Sequence, residues 1–113
     1  MKIKSFFRRK PVFSRSAVRY SCQVDCDIDL TESEAHYQGR LIDISAGGAM
    51  VRPRLAYLLQ RRDVPVMVQI RGEIIPAMIM ATTPAGFGLR FNQLLSDAQM
   101  AQILGAQYLA QAA

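Results

Sequence analysis

The chain has 113 residues, 50% of them apolar and 20% charged, which suits one folded domain and excludes both two independent cores and a disordered low-complexity chain. Its net charge of +5 is unevenly placed: the first twenty residues hold seven Lys and Arg and no acid, while the rest hold seven Arg against nine Asp and Glu, a net of −2. Such a basic segment on a mildly acidic body implies a polyanionic partner, for which phosphate ligands, nucleic acid and anionic lipid all qualify.

Lys2 and Lys4 look like the start of a secretion signal, but only Phe6 and Phe7 follow before Arg8, so no apolar stretch exists and a cytoplasmic protein is expected. Residues 1–11 read as a flexible basic arm and 12–113 as one domain. From Tyr20 the pattern changes. Cys22, Val24, Cys26, Ile28 and Leu30 alternate with polar neighbours and predict a half-buried strand. Within an extended strand the two cysteines stand about 13 Å apart, beyond the roughly 7 Å limit for a disulfide, so both are expected reduced. The only histidine, His36, has no ligand-like spacing around it, and no metal site is expected.

Residues 31–36 read as a hairpin connection, 37–44 as a second strand, 45–48 as a turn and 49–51 as the start of a third strand. Leu55, Leu58 and Leu59 after Pro53 predict a short helical turn over 55–62. Strands follow at 64–70, 74–82 and 86–91, joined at Arg71-Gly72 and at Pro84-Ala85-Gly86, with the Met78 to Met80 run read as core. No apolar run approaches the roughly 20 residues of a membrane span. At the end, Ser96 with Gln99 forms a capping-box start, and Met100, Ile103, Leu104 and Tyr108 share one face of an amphipathic helix. About six short strands in this length most economically close into a small antiparallel barrel, because closure removes exposed edges.

Two clusters carry chemistry. Arg15-Ser16-Ala17-Val18-Arg19 lies just before the first strand, and Asp43-Ile44-Ser45-Ala46-Gly47-Gly48 lies at the turn after the second. A guanidinium can pair bidentately with a phosphate or with the O6 and N7 edge of guanine, and a carboxylate accepts from the N1 and N2 donors of the opposite edge. Ser45 adds a small hydroxyl, while Gly47 and Gly48 permit positive φ and close backbone approach. Taken alone, Asp43 and Ser45 before two glycines can also be a turn satisfying its own backbone. Arg8, Arg9 and Lys10 are either additional phosphate contacts or a solvated tail.

In order and separation the two clusters resemble the paired RxxxR and (D/N)xSxxG motifs of the PilZ family, and Gly86-Phe87-Gly88-Leu89-Arg90-Phe91 resembles its glycine-rich late strand. The resemblance implies a mainly β fold, a six-stranded antiparallel PilZ-type barrel with a C-terminal α-helix. It implies a cyclic di-GMP receptor, not an enzyme, with no cofactor and with Arg15, Arg19, Asp43, Ser45 and Gly48 around the nucleotide. Gly47, Arg8, Arg9 and Lys10 are possible additions. The expected output is a change in the N-terminal arm relayed to an unidentified protein partner, in motility, biofilm or polysaccharide control. Two alternatives stand beside it: a nucleic-acid-binding small barrel using the basic arm, which the scarcity of aromatics among the charges disfavours, and a PilZ adaptor that binds protein without nucleotide.

Overall fold

A computed structural model describes residues 18–54 and 63–108. Arg8, Arg9, Lys10, Arg15, the arm over 1–11 and the helical turn expected over 55–62 therefore lie outside the described residues. Six strands form in the expected order: β1 (Tyr20–Leu30), β2 (His36–Ile44), β3 (Gly48–Pro53), β4 (Val64–Ile70), β5 (Glu73–Thr83) and β6 (Gly86–Phe91), followed by α1 (Asp97–Leu104). They close into an antiparallel barrel in the order β1-β2-β3-β6-β5-β4. Closure comes from β1 and β4, which pair Ile28 with Val68 and Leu30 with Val66.

Alternation drives this closure. Val24, Cys26, Ile28 and Leu30 of β1, Val66, Val68 and Ile70 of β4, Ile75, Ala77 and Ile79 of β5, and Phe87, Leu89 and Phe91 of β6 all turn inward and are buried. One face of each strand thus leaves water, the arrangement that a strand of period two allows. The β4–β5 connection is a two-residue turn, Ile70 pairing with Glu73, and its central residues Arg71 and Gly72 both have positive φ (48° and 86°). That geometry matches the right-handed strand twist. The Met78 to Met80 run is corrected in part: Ile79 is fully buried, but Met78 and Met80 are half-buried because alternation turns them to the outer side.

α1 starts as expected, with both halves of the Ser96/Gln99 capping box formed. Met100, Ile103 and Leu104 are buried, and Gln99 and Gln102 tie the helix to the β4–β5 turn through Glu73 Oε1 (3.2 Å) and the Arg71 carbonyl (2.9 Å). The helix stops at Gly105, whose φ of 65° ends it. Tyr108 consequently lies beyond the break, and its ring meets Tyr20 edge-on with centroids 5.5 Å apart.

Both cysteines are free. Burial, followed by the nearby Asp27 and Asp25 charges, pushes the Cys26 thiol up to about 12, and burial with the Asp43 charge also raises Cys22. Because the thiolate is the reactive form, Cys26 is expected to resist a thiol reagent at pH 8 until the chain unfolds, with half-buried Cys22 labelled first. Mass-spectrometric mapping of the labelled peptides checks this; rapid labelling of Cys26 in the native protein would refute it.

Candidate functional site at one mouth of the barrel

Antiparallel order brings particular strand ends together. The starts of β1, β3 and β5 and the ends of β2, β4 and β6 lie at the same mouth. Residues flanking those ends converge there although they are far apart in sequence: Arg19 before β1, Asp43 at the end of β2, and the 45–48 turn into β3.

Asp43 reaches outward because of an irregularity in β2. Leu41 and Ile44 are both fully buried, which a regular strand cannot achieve at an odd separation. The β2–β3 register shifts between Leu41 and Asp43, so that Leu41 opposes Val51 and Asp43 opposes Met50, leaving Ile42 as an extra residue. A second shift in the β1–β2 ladder lies between Ser21 and Val24, and Ser21 opposes Asp43. Such bulges re-aim a side chain. Without this one, Asp43 would follow Leu41 into the core.

Arg19 donates from its guanidinium to Asp43 Oδ1 in an ion pair across 24 positions of sequence. The side chains are 56% and 28% exposed, so the pair sits at an open surface where a ligand can reach both partners. The structure thus joins one residue from each of the two sequence clusters.

Ser45 lies inside the turn. It is only 2% exposed; its hydroxyl donates to the Gly48 carbonyl (3.4 Å) and accepts from the Gly47 N–H (3.3 Å). The Ser45 N–H also donates to the Gly48 carbonyl (2.8 Å). Ser45 therefore holds the turn, the self-satisfying arrangement that such residues favour. The glycines also differ from expectation in one respect. Neither Gly47 nor Gly48 is among the described residues with positive φ. What Gly48 supplies is close approach, since a Cβ there would lie 2.4 Å from the Leu89 carbonyl oxygen.

The end of β6 and the segment that follows it clasp the turn. Phe91 N–H donates to the Gly47 carbonyl (2.9 Å) and Leu95 N–H to the Ala46 carbonyl (2.9 Å). Sequence reasoning missed this clasp, because backbone donors carry no residue signature.

The outer wall of β1 and β2 has another character. Asp25, Asp27 and Asp29 project from alternate positions; Arg40 pairs with Asp25 (3.3 Å), and His36 bridges Asp27 (3.4 Å) and Asp29. Among the described residues no cluster of three His, Cys, Asp or Glu is arranged to hold a metal ion. The His36 pKa is raised, first by its hydrogen bond to Asp29 and further by both carboxylate charges. A histidine whose folded pKa exceeds its unfolded value adds stability that is complete below about pH 6.5 and is lost as pH rises through the folded pKa. NMR titration of the His36 ring is expected to give a midpoint above 6.5 that Asp29→Asn moves down; a wild-type midpoint at or below 6.5 would contradict the geometry.

Comparison with known proteins agrees with this architecture. The family model described as PilZ domain matches residues 13–111. Among solved structures, the PilZ domain of CeSA from a cellulose-synthesizing bacterium superposes with a TM-score of 0.60 at 19% identity, covering 80% of this chain and 98% of that one. The PilZ domain of YcgR from Escherichia coli, solved with c-di-GMP, gives 0.60 at 14% identity, covering 85% and 93%. The Bacillus subtilis inhibitor of motility MotI/DgrA gives 0.62 at 18% identity, covering 87% of this chain and 51% of that protein. A search of curated proteins gives no match.

Proposed function

Because the chain belongs to the PilZ domain family, a family of cyclic di-GMP receptors, we propose that it binds cyclic di-GMP at this mouth and relays occupancy to a protein partner. The observation that carries the reading is the pairing of Arg19 with Asp43 at an exposed mouth beside the clasped 45–48 turn. Arg15 and Arg19 pair with phosphate or with the O6 and N7 edge of guanine. Asp43 accepts from the N1 and N2 donors. Ser45, Gly47 and Gly48 shape the turn that the ligand meets. Arg8, Arg9 and Lys10 add long-range attraction for the phosphates.

The relay follows from the charge. Six of the seven cations in the first twenty residues precede Val18, and a dianionic ligand at the mouth draws that arm towards the barrel. The arm then presents, or withdraws, a surface for a protein target in motility, biofilm or polysaccharide output. PilZ domains are regulatory binding domains, and we assign no catalytic residue here. No described helix is long and apolar enough to cross a membrane, and we place the receptor in the cytoplasm, where the second messenger is made.

Titration calorimetry of the full chain with cyclic di-GMP tests the reading and gives stoichiometry. Saturable heat at one or two nucleotides per protomer is expected; absence of heat, with retention of double-stranded DNA that falls steeply with salt, would favour the nucleic-acid alternative instead.

A further inference from the structure

The segment from Phe91 to Tyr108 touches both halves of the candidate site. At one end the N–H groups of Phe91 and Leu95 donate to the carbonyls of Gly47 and Ala46 in the turn. At the other, Gln107 Nε2 donates to the Ser21 carbonyl (2.8 Å), and the Tyr108 ring packs on Tyr20 at 64° with centroids 5.5 Å apart. Tyr20 and Ser21 are the residues through which the chain leaves Arg19, and they pair with Ile44 and Asp43. Between the two ends runs α1, fixed by the buried Met100, Ile103 and Leu104.

The far end is held by more than its apolar contact. The Tyr108 hydroxyl donates to Asp97 Oδ1 at the start of α1, which ties the residues after Gly105 back onto the helix. This hydrogen bond to a carboxylate, with smaller contributions from desolvation and the Asp97 charge, pushes the Tyr108 pKa up to about 12. The phenol therefore remains a donor throughout the neutral range.

We propose that Gln107 and Tyr108 are positioning residues for Arg19, and that the C-terminal segment they belong to is energetically coupled to occupancy of the site. The inference rests on the cyclic di-GMP reading above and adds the element that registers binding. The mechanism is local. Arg19 has no regular pairing of its own, since the β1–β2 ladder begins at Tyr20. The direction in which its backbone leaves the barrel is set by Tyr20 and Ser21, and those two are braced from outside by Tyr108 and Gln107. A braced Arg19 loses less freedom when it meets the nucleotide, and pre-organisation of this kind raises affinity. Coupling is reciprocal, so a ligand that pulls on Arg19 and Asp43 also shifts how the segment docks.

The sequence supplies a convenient reporter, because the chain contains no Trp. Tyr108→Trp places a single indole against Tyr20. Titrating this variant with cyclic di-GMP is expected to change its emission with the same midpoint that calorimetry gives. In parallel, Tyr108→Ala is expected to weaken binding about 2- to 10-fold, the worth of an aromatic pair. Tyr108→Phe, which keeps the ring and loses only the bond to Asp97, should stay within about 2-fold of wild type. Thermal unfolding of each variant without ligand identifies any that fail to fold, and the emission titration of the Trp variant carries the test if the Ala variant does. Unchanged emission at saturating nucleotide, or Tyr108→Ala binding like the wild type, overturns the coupling alone. Absence of heat from the wild-type protein overturns the ligand reading, and the coupling with it.

Discussion

Arg19→Ala is expected to weaken cyclic di-GMP binding about 10- to 100-fold, the worth of one charge-assisted hydrogen bond, while costing less than about 1 kcal/mol of folding stability. The two halves of this expectation have separate causes. The ion pair with Asp43 is more than half exposed on the arginine side, and an exposed pair adds little to stability, since water and salt screen it. A ligand that covers the pair removes that water and makes the same guanidinium matter. Arg19→Lys keeps the charge but not the planar fork, and is expected to recover only part of the affinity. Arg15→Ala is expected to match Arg19→Ala. Calorimetry with thermal unfolding of the same preparations checks all three. Wild-type affinity in Arg19→Ala would remove this residue from the site, and a large fall in melting temperature would make it a structural residue instead.

Gly48→Ala is expected to show the opposite signature, a lower stability before any ligand is added. The new Cβ would sit 2.4 Å from the Leu89 carbonyl oxygen, a backbone atom in the strand with which β3 pairs. Gly48 itself opposes Arg90 in that ladder, and Ala49 opposes Leu89. Relief requires the strands to separate where the turn is clasped by Phe91 and Leu95. Overpacking of this kind costs about 1 to 3 kcal/mol, which for a domain of this size lowers the melting temperature about 4 to 8 °C for each kcal/mol. Because the clasp carries the turn, binding should weaken as well. An unchanged melting temperature in Gly48→Ala would show that the close approach is not a constraint.

The two variants separate what a shared motif leaves joined. In the proposed site Arg19 and Asp43 would offer groups to the nucleotide, whereas Ser45 and Gly48 shape the turn. The sequence pattern alone puts all of them on equal footing. Burial separates them: Ser45 is 2% exposed with its hydroxyl engaged within its own turn, while Arg19 stands largely in water.

The strands β1 and β4 were legible because their inward residues alternate. Val24 to Leu30 and Val64 to Ile70 each declare a face, and β4 and β6 begin and end where the pattern predicts. The bulge at Ile42 was not legible. Leu41 and Ile42 are both apolar, so alternation cannot say which of them enters the core, and the outward turn of Asp43 depends on registers set by two neighbouring strands. The pairing of Arg19 with Asp43 is a consequence of those registers. The C-terminal helix illustrates the converse. Its start is written in Ser96 and Gln99, but the spacing of Met100, Ile103, Leu104 and Tyr108 suggests one continuous face, and Gly105 interrupts it. That interruption lets Tyr108 reach Tyr20.

The proposed nucleotide site is the seam between the arginine cluster and the clasped turn, not the charged wall of β1 and β2. The most direct measurement is an amide NMR titration of the full chain with cyclic di-GMP. The largest shifts are expected on Arg15, Arg19, Tyr20 and Asp43 to Gly48, with smaller ones at Gln107 and Tyr108. Shifts centred on Asp25, Asp27, His36 and Arg40, or no shifts at saturating nucleotide, would contradict it.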